Sequence, residues 1–279
     1  MDPALAFAIY GCAAVSLSCW LLGVLANEHS WVDRLWSIVP VLYVAWFAWQ
    51  SRFADPRLTL MAALALAWGA RLTFNFARKG GYAKGGEDYR WQVLRRKMSP
   101  WQWQLFAFFF IAGVQNVILL LITLPAWVAA ASGARPLGLL DAAAAALFVA
   151  FLAGETIADN QQWRFHQQKR ERVARGEAVD PPFCTTGLFR LSRHPNFFCE
   201  QAMWWAFYLF SVAATGEVLN VSIVGAAVLT GLFHGSTNFT ESITVSRYPS
   251  YVEYQRRTSR LWPRPPASPS AAERVETGP

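Results

Sequence analysis

The chain has 279 residues, of which 54% are hydrophobic and only 15% charged, with a mean hydropathy of +0.22. Soluble domains run near a quarter charged, so this composition argues against an ordinary soluble globule and points to lipid. The net charge of +7 would suggest nucleic acid in a soluble protein; in a membrane protein it means basic loops facing anionic lipid or an anionic cofactor, and no nucleic-acid partner is expected.

A membrane-spanning helix needs about 20 mostly apolar residues. Windows of that kind run over 4–26, 35–50, 58–77, 103–130, 139–160, 197–214 and 218–235. The first lacks a basic leader and is expected to stay as a span. The second is short, and the fourth is long enough to tilt or break, with Pro125 as a kink site. The 14 tryptophans suit rings at headgroup level. Cys12, Cys19, Cys184 and Cys199 form no CxxC pair and read as reduced packing residues, with no metal site.

Lys and Arg fix the expected orientation. Segment 78–102 holds seven, 161–195 seven and the chain after 235 six, against two in 51–57 and one in 132–138. Seven spans place the rich segments on one side, the cytoplasm. The expected fold is an all-α integral membrane protein with seven transmembrane helices, its N-terminus outside and its C-terminus cytoplasmic. Residues 1–265 form one domain, and the Pro/Ala/Ser-rich stretch 266–279 is expected to be disordered.

Polar groups inside spans are costly and so become functional candidates. Arg71 and Asn75 stand four apart on the third helix. Gln115 and Asn116 lie in the fourth, and Glu155, Asp159 and Asn160 in the fifth. Glu200 opens the sixth, and Glu241 lies just past the seventh. Most fall toward the basic side, which suggests one polar cavity open there; for any single residue, interhelical hydrogen bonding is the competing explanation.

The loops add cations. Loop 78–97 reads Arg-Lys-Gly-Gly-Tyr-Ala-Lys-Gly-Gly-Glu-Asp-Tyr-Arg-Trp followed by more basic residues; its glycines allow close backbone approach, and its Arg and Lys, among them Arg78, Lys79 and Arg90 beside Tyr89, can hold phosphate. Arg164 and Arg247 lie in the other basic segments. Segment 187–200 reads Gly-Leu-Phe-Arg-Leu-Ser-Arg-His-Pro-Asn-Phe-Phe-Cys-Glu. It gathers Arg193, His194 and Asn196 where a helix begins at Pro195, and a diphosphate-containing cofactor suits such a site.

Ser192-Arg193-His194-Pro195-Asn196-Phe197 with Glu200 resembles the cofactor motif of membrane sterol and steroid reductases. Over residues 27–266 the chain is similar to a bacterial member of the membrane steroid 5α-reductase family. Further matches are Trp31-Val32-Asp33-Arg34-Leu35-Trp36, Gly86-Glu87-Asp88-Tyr89-Arg90, Asp159 with its neighbours, and Tyr248-Pro249-Ser250-Tyr251 continuing to Thr258. The resemblance implies seven helices, NADPH bound from the cytoplasm, and reduction of the Δ4 double bond of 3-oxo-steroids, with hydride to C5 and a proton to C4. It implies cofactor contacts at Asn196, Glu200 and Asp159, with Glu155 one turn earlier. Asp33 falls where the family places a glutamate that polarises the 3-oxo group, and the tyrosine partnering it falls at Trp68. The implied catalytic pair is thus Asp33 and Trp68. The cofactor set is Arg71, Asn75, Arg78, Lys79, Tyr89, Arg90, Gln115, Glu155, Asp159, Arg164, Arg193, His194, Asn196, Glu200, Glu241 and Arg247.

Hydride addition to an enone needs stabilisation of the charge that develops on its carbonyl oxygen. A carboxylic acid in an apolar setting can stay protonated and donate that hydrogen bond. Asp33 suits this role; pairing with Arg34 or helix capping are its alternatives. A steroid or other lipid enone would enter from the bilayer, to a monomer in the bacterial inner membrane whose cofactor side faces the cytoplasm. The competing expectation is a membrane methyltransferase of the isoprenylcysteine carboxyl methyltransferase type, which also carries Arg-His-Pro before a hydrophobic span. S-adenosylmethionine has no phosphates, so the many basic residues favour the nucleotide.

Overall fold

The computed structural model describes residues 2–267, and these form helices with no strand among them. In chain order the helices are α1 (Pro3–Ala26), α2 (Trp31–Leu35), α3 (Val39–Trp49), α4 (Pro56–Arg78), α5 (Tyr89–Arg95), α6 (Pro100–Phe106), a π-helical segment (Ala107–Val114), α7 (Gln115–Leu121) and α8 (Leu124–Ala131). There follow α9 (Leu139–Ala174), a 3-10 turn (Gly187–Arg190), α10 (Pro195–Thr215), α11 (Ile223–Arg247) and α12 (Tyr251–Arg257). Four stretches are long and apolar enough to cross a membrane: Pro3–Ala26, Pro56–Arg78, the segmented Pro100–Ala131 and Leu139–Ala174. Val39–Trp49 is a shorter apolar helix. α10 and α11 are continuous, but their apolar character is broken by polar residues such as Asn196, Glu200, His234 and Glu241. The expected tail from 268 onward lies outside the described residues.

The chain divides into two packed units, with the boundaries inside α9, α10 and α11. The first comprises the chain up to Val149 with Met203–Thr230. Its helices start on sequence signals: the Asp2 side chain accepts from Leu5 N–H ahead of Pro3, and that of Asp55 from Arg57 and Leu58 N–H ahead of Pro56. α3 packs on α4, α7 and α8, and α1 on the π segment and α7. α4 comes so close that a Cβ on Gly69 would stand 2.5 Å from the Ser37 carbonyl oxygen, so glycine is required there. The long fourth window is broken twice. The π segment widens its first half, and the helix resets at Ile122–Thr123 before Pro125, whose ring has no N–H to continue the ladder.

The second unit comprises Ala150–Ala202 and the chain from Gly231. α9 runs on past the expected end at 160 to Ala174, because Gln, Lys, Arg and Glu there are good helix formers although polar. Its inner side carries Ala158, buried with Cys184 and Phe189. Gly187 has φ +62°, a left-handed turn that lets Leu188 N–H reach Gln161 Oε1 at 2.9 Å. The chain at 191–194 then runs beside 259–264. Arg193 N–H donates to Ser259 O at 2.8 Å, His194 N–H to Arg260 O at 3.1 Å, and Arg264 N–H to Leu191 O at 3.0 Å.

Candidate functional site

The second unit is organised around one carboxylate. Glu241, on α11, accepts from Arg193 Nε at 2.6 Å and Nη2 at 2.9 Å, a two-pronged pair. His194 Nε2 lies 3.0 Å from Oε1 and Gln255 Nε2 donates to Oε2 at 2.9 Å. The other arm of the Arg193 guanidinium donates to the carbonyls of Gln255, at 3.0 Å, and Thr258. The paired side chains are only 9% and 7% exposed. Burial alone would raise the Glu241 pKa, but hydrogen bonds from His194, Arg193 and Gln255 bring it down to about 2. Most N–H groups of Arg193 are therefore committed to protein. Arg193 and His194 fix the start of α10 against α11 and the 255–260 segment.

That clamp sets the first turn of α10. Asn196 follows directly, and its Nδ2 donates to Asp159 Oδ1 on α9 at 3.4 Å. Glu155, Asp159 and Glu200 are all buried. The His194 ring stacks on Phe197 with centroids 5.7 Å apart, and Phe197 on Phe233 at 4.9 Å, giving the turn an aromatic wall. Arg164 and Arg247 are exposed, with Arg247 lying over the Tyr248 ring. Three buried carboxylates beside a carboxamide can accept hydroxyl and amide N–H donors from a polar ligand.

The first unit presents a different cluster. Asp33, on α2, accepts from Trp91 Nε1 at 2.9 Å. Burial is the main cause that raises its pKa, followed by the charge of Asp88; hydrogen bonds from Trp91 and Ser30 and the charge of Arg90 oppose this without cancelling it. Asp88 caps α5 and is held in turn: its N–H donates to Ser30 Oγ at 3.0 Å, and Arg90 Nε donates to its carboxylate at 2.9 Å. Arg34 does not pair with Asp33. It pairs with Glu28, donates to Gly81 O at 3.2 Å, and lies over the Trp31 ring. Of the alternatives for Asp33, the pairing with Arg34 is not what forms; its carboxyl is anchored by the Trp91 indole.

The other expected residues of this unit are dispersed along its helices. Trp68 is fully buried and meets Trp204 edge-on at 4.9 Å. Arg71 lies one turn before the buried Asn75, whose Oδ1 accepts from Arg78 Nε at 2.9 Å and Nη2 at 2.7 Å. Lys79 and Tyr89 are exposed. Gln115 is buried where the π segment gives way to α7. Trp91, Gln255 and Ser30 are partners to which sequence reasoning gave no role, although Trp91 closes the basic string that begins at Arg78 and Gln255 lies within the matched stretch from Tyr248 to Thr258. Among the described residues no group of His, Cys, Asp and Glu is arranged to hold a metal ion.

Comparison with known proteins places these residues in a family. The family described as "Protein of unknown function (DUF1295)" matches residues 19–258, which includes both clusters. An uncharacterized protein of the fission yeast Schizosaccharomyces pombe is 39% identical over 261 residues, covering 88% of this chain and 75% of the relative. No solved structure matches. The chain therefore belongs to the DUF1295 family.

Proposed function

We propose that this protein is an NADPH-dependent membrane reductase of the steroid 5α-reductase type, which reduces the Δ4 double bond of a 3-oxo-Δ4-steroid or a chemically similar lipid enone. In this reading it spans the inner membrane of a bacterium seven times, as a monomer, with the basic segments and the cofactor side facing the cytoplasm. The observation that carries the reading is Asp33: a carboxyl held by an indole N–H and shifted toward its neutral form. A neutral acid of that kind can donate a hydrogen bond to a carbonyl oxygen as charge develops there.

The residues fit the cofactor's chemistry. Glu155, Asp159 and Glu200 are buried acceptors suited to ribose hydroxyls and carboxamide N–H groups, and Asn196 adds a donor and an acceptor. Arg78, Lys79, Arg164 and Arg247 are cations that can face phosphate. NADPH, when bound, supplies the hydride that adds to C5. Asp33 would hold the 3-oxo oxygen while the electron pair moves onto it, and a proton completes C4. Trp68 would shape the apolar wall where the family has a tyrosine.

The test is thermal stability of the detergent-purified protein with NADPH or S-adenosylmethionine. NADPH is expected to stabilise it; stabilisation by S-adenosylmethionine alone sinks the reductase reading in favour of the methyltransferase. Asn196→Ala and Glu200→Ala should each weaken NADPH binding roughly tenfold, the scale of one lost hydrogen bond to a charged group. Asp33→Asn should slow turnover of the enone while NADPH binding stays intact, and wild-type turnover in Asp33→Ala would remove that residue from the mechanism.

A further inference from the structure

We infer that the depression lined by Gln92, Arg95 and Arg96 on the first unit binds the phosphate of an anionic phospholipid headgroup. The depression has a volume of about 400 Å³ and Glu87 forms the rest of its lining. That is ample for a phosphate with its glycerol neighbour. Arg95, Arg96 and the adjacent Lys97 have no carboxylate at ion-pair distance among the described residues. Neighbouring cations left unpaired repel one another, and an anion between them removes that repulsion. Glu87, the one acid in the lining, is already engaged, its Oε1 accepting from His29 N–H at 2.8 Å.

The walls are built, not loose. Arg95 is pinned by Asn27, with Nη2 donating to Oδ1 at 2.6 Å, and its guanidinium lies 5.9 Å from the centre of the Trp103 ring. Trp103 meets His29 edge-on at 5.1 Å. His29 is 4% exposed and Trp103 2%, yet neither ring nitrogen of His29 nor Nε1 of Trp103 has a hydrogen-bond partner. Native structures rarely bury polar atoms unpaired. Two such side chains directly behind Glu87 and Arg95 are a second indication that a polar ligand completes this place. Burial and then the Arg95 charge hold the His29 pKa down to about 4, so its ring is neutral and the positive charge facing the anion comes from the arginines. A lipid is the favoured source because Trp101, 64% exposed at the start of α6, stands two residues before Trp103, over whose ring Arg95 lies, and indoles of this kind settle at headgroup level. None of the lining residues belongs to the candidate cofactor set.

The experiment is binding of phosphatidylglycerol and of phosphatidylcholine to the full chain in detergent, by lipid retention and thermal shift. Wild type is expected to prefer phosphatidylglycerol, and R95Q/R96Q to bind it roughly thirtyfold more weakly. R172Q/R175Q, which removes the same charge elsewhere, should bind as wild type. Arg96 is exposed, so R96Q alone keeps the test open if the double variant does not fold. No preference between the lipids, or equal loss in R172Q/R175Q, overturns the proposal. Competition by millimolar inorganic phosphate would assign the site to soluble phosphate and overturn the lipid. Stabilisation by NADPH should be unchanged in R95Q/R96Q; its loss there would merge this site with the cofactor's and overturn the proposal while leaving the reductase reading standing.

Discussion

Among the described residues each unit shows a buried, two-pronged Arg–carboxylate pair, and the two are built to different ends. In the first unit Arg57 donates to Asp141 through Nε at 2.7 Å and Nη2 at 3.0 Å, both side chains 2% exposed. Its surroundings are sparse: Arg57 also touches Pro136 O, and Asp141 accepts from Gly138 N–H. The pair ties the first turn of α4 to the first turn of α9 and little else. In the second unit Glu241 collects Arg193, His194 and Gln255, and Arg193 spreads onto two further carbonyls. The first pair is a staple between two helix starts. The second is a junction, and what it positions is the turn that carries Asn196. Similar bonds thus serve anchoring in one region and alignment of a site in the other.

This contrast can be broken by experiment. The largest effect is expected for Arg193→Ala, which leaves Glu241 buried without its cation; removing one member of a buried pair costs about 3–5 kcal/mol, read as a fall in unfolding free energy or melting temperature in detergent. Acid should come next. Glu241 titrates at about 2 in the fold against an ordinary 4.5. Its stabilisation is therefore complete above pH 4.5 and is lost as the pH falls toward 2, on the order of 3 kcal/mol. Glu241→Gln should lack that acid-dependent component; an identical acid profile would separate the pair from the pH response. A smaller difference should appear when both partners become apolar. Arg57→Met with Asp141→Leu should cost no more than about 1–2 kcal/mol, for the lost loop contacts. Arg193→Met with Glu241→Leu should cost at least about 2 kcal/mol beyond that, since it strands His194, Gln255 and two carbonyls. Equal costs would mean the junction is only a second staple. The smallest effect, about 1 kcal/mol, is expected for His194→Gln, which can keep a donor near Glu241.

The apolar helices were legible because their physics is local. Windows 4–26 and 58–77 match Pro3–Ala26 and Pro56–Arg78 within two residues, as Asp-Pro starts and continuous apolar faces are written in adjacent positions. Hydropathy could not follow α9 to Ala174, since a polar helix and a polar loop look alike to it. The window 218–235 missed the start of α11 at Ile223, because the turn that follows Gly216, with φ +80°, takes up its first residues. Pro125 did mark a break, whereas the π segment has no composition of its own. At the site, residue types that carry chemistry were visible but not their partners. Arg193 and Glu241 are separated by 48 positions, and Asp33 and Trp91 by 58. Only the fold shows that one cation faces a carboxylate and that one carboxyl faces an indole.

The π segment Ala107–Val114 gives the Pro100–Ala131 stretch a place where a deletion has a different effect from one elsewhere, which point substitutions would not reveal. Such a segment behaves as one surplus residue accommodated in an α-helix. Removing a single residue between 107 and 114 could let the chain close into a regular helix without loss of hydrogen bonds. Side chains after it would nearly keep their present facing relative to those before it, whereas a deletion in a regular turn of the same stretch would turn them by about 100°. Only that second deletion would rotate Gln115 and Asn116, now buried, off their present face. The wide turn is therefore slack that holds the two halves of the stretch in phase.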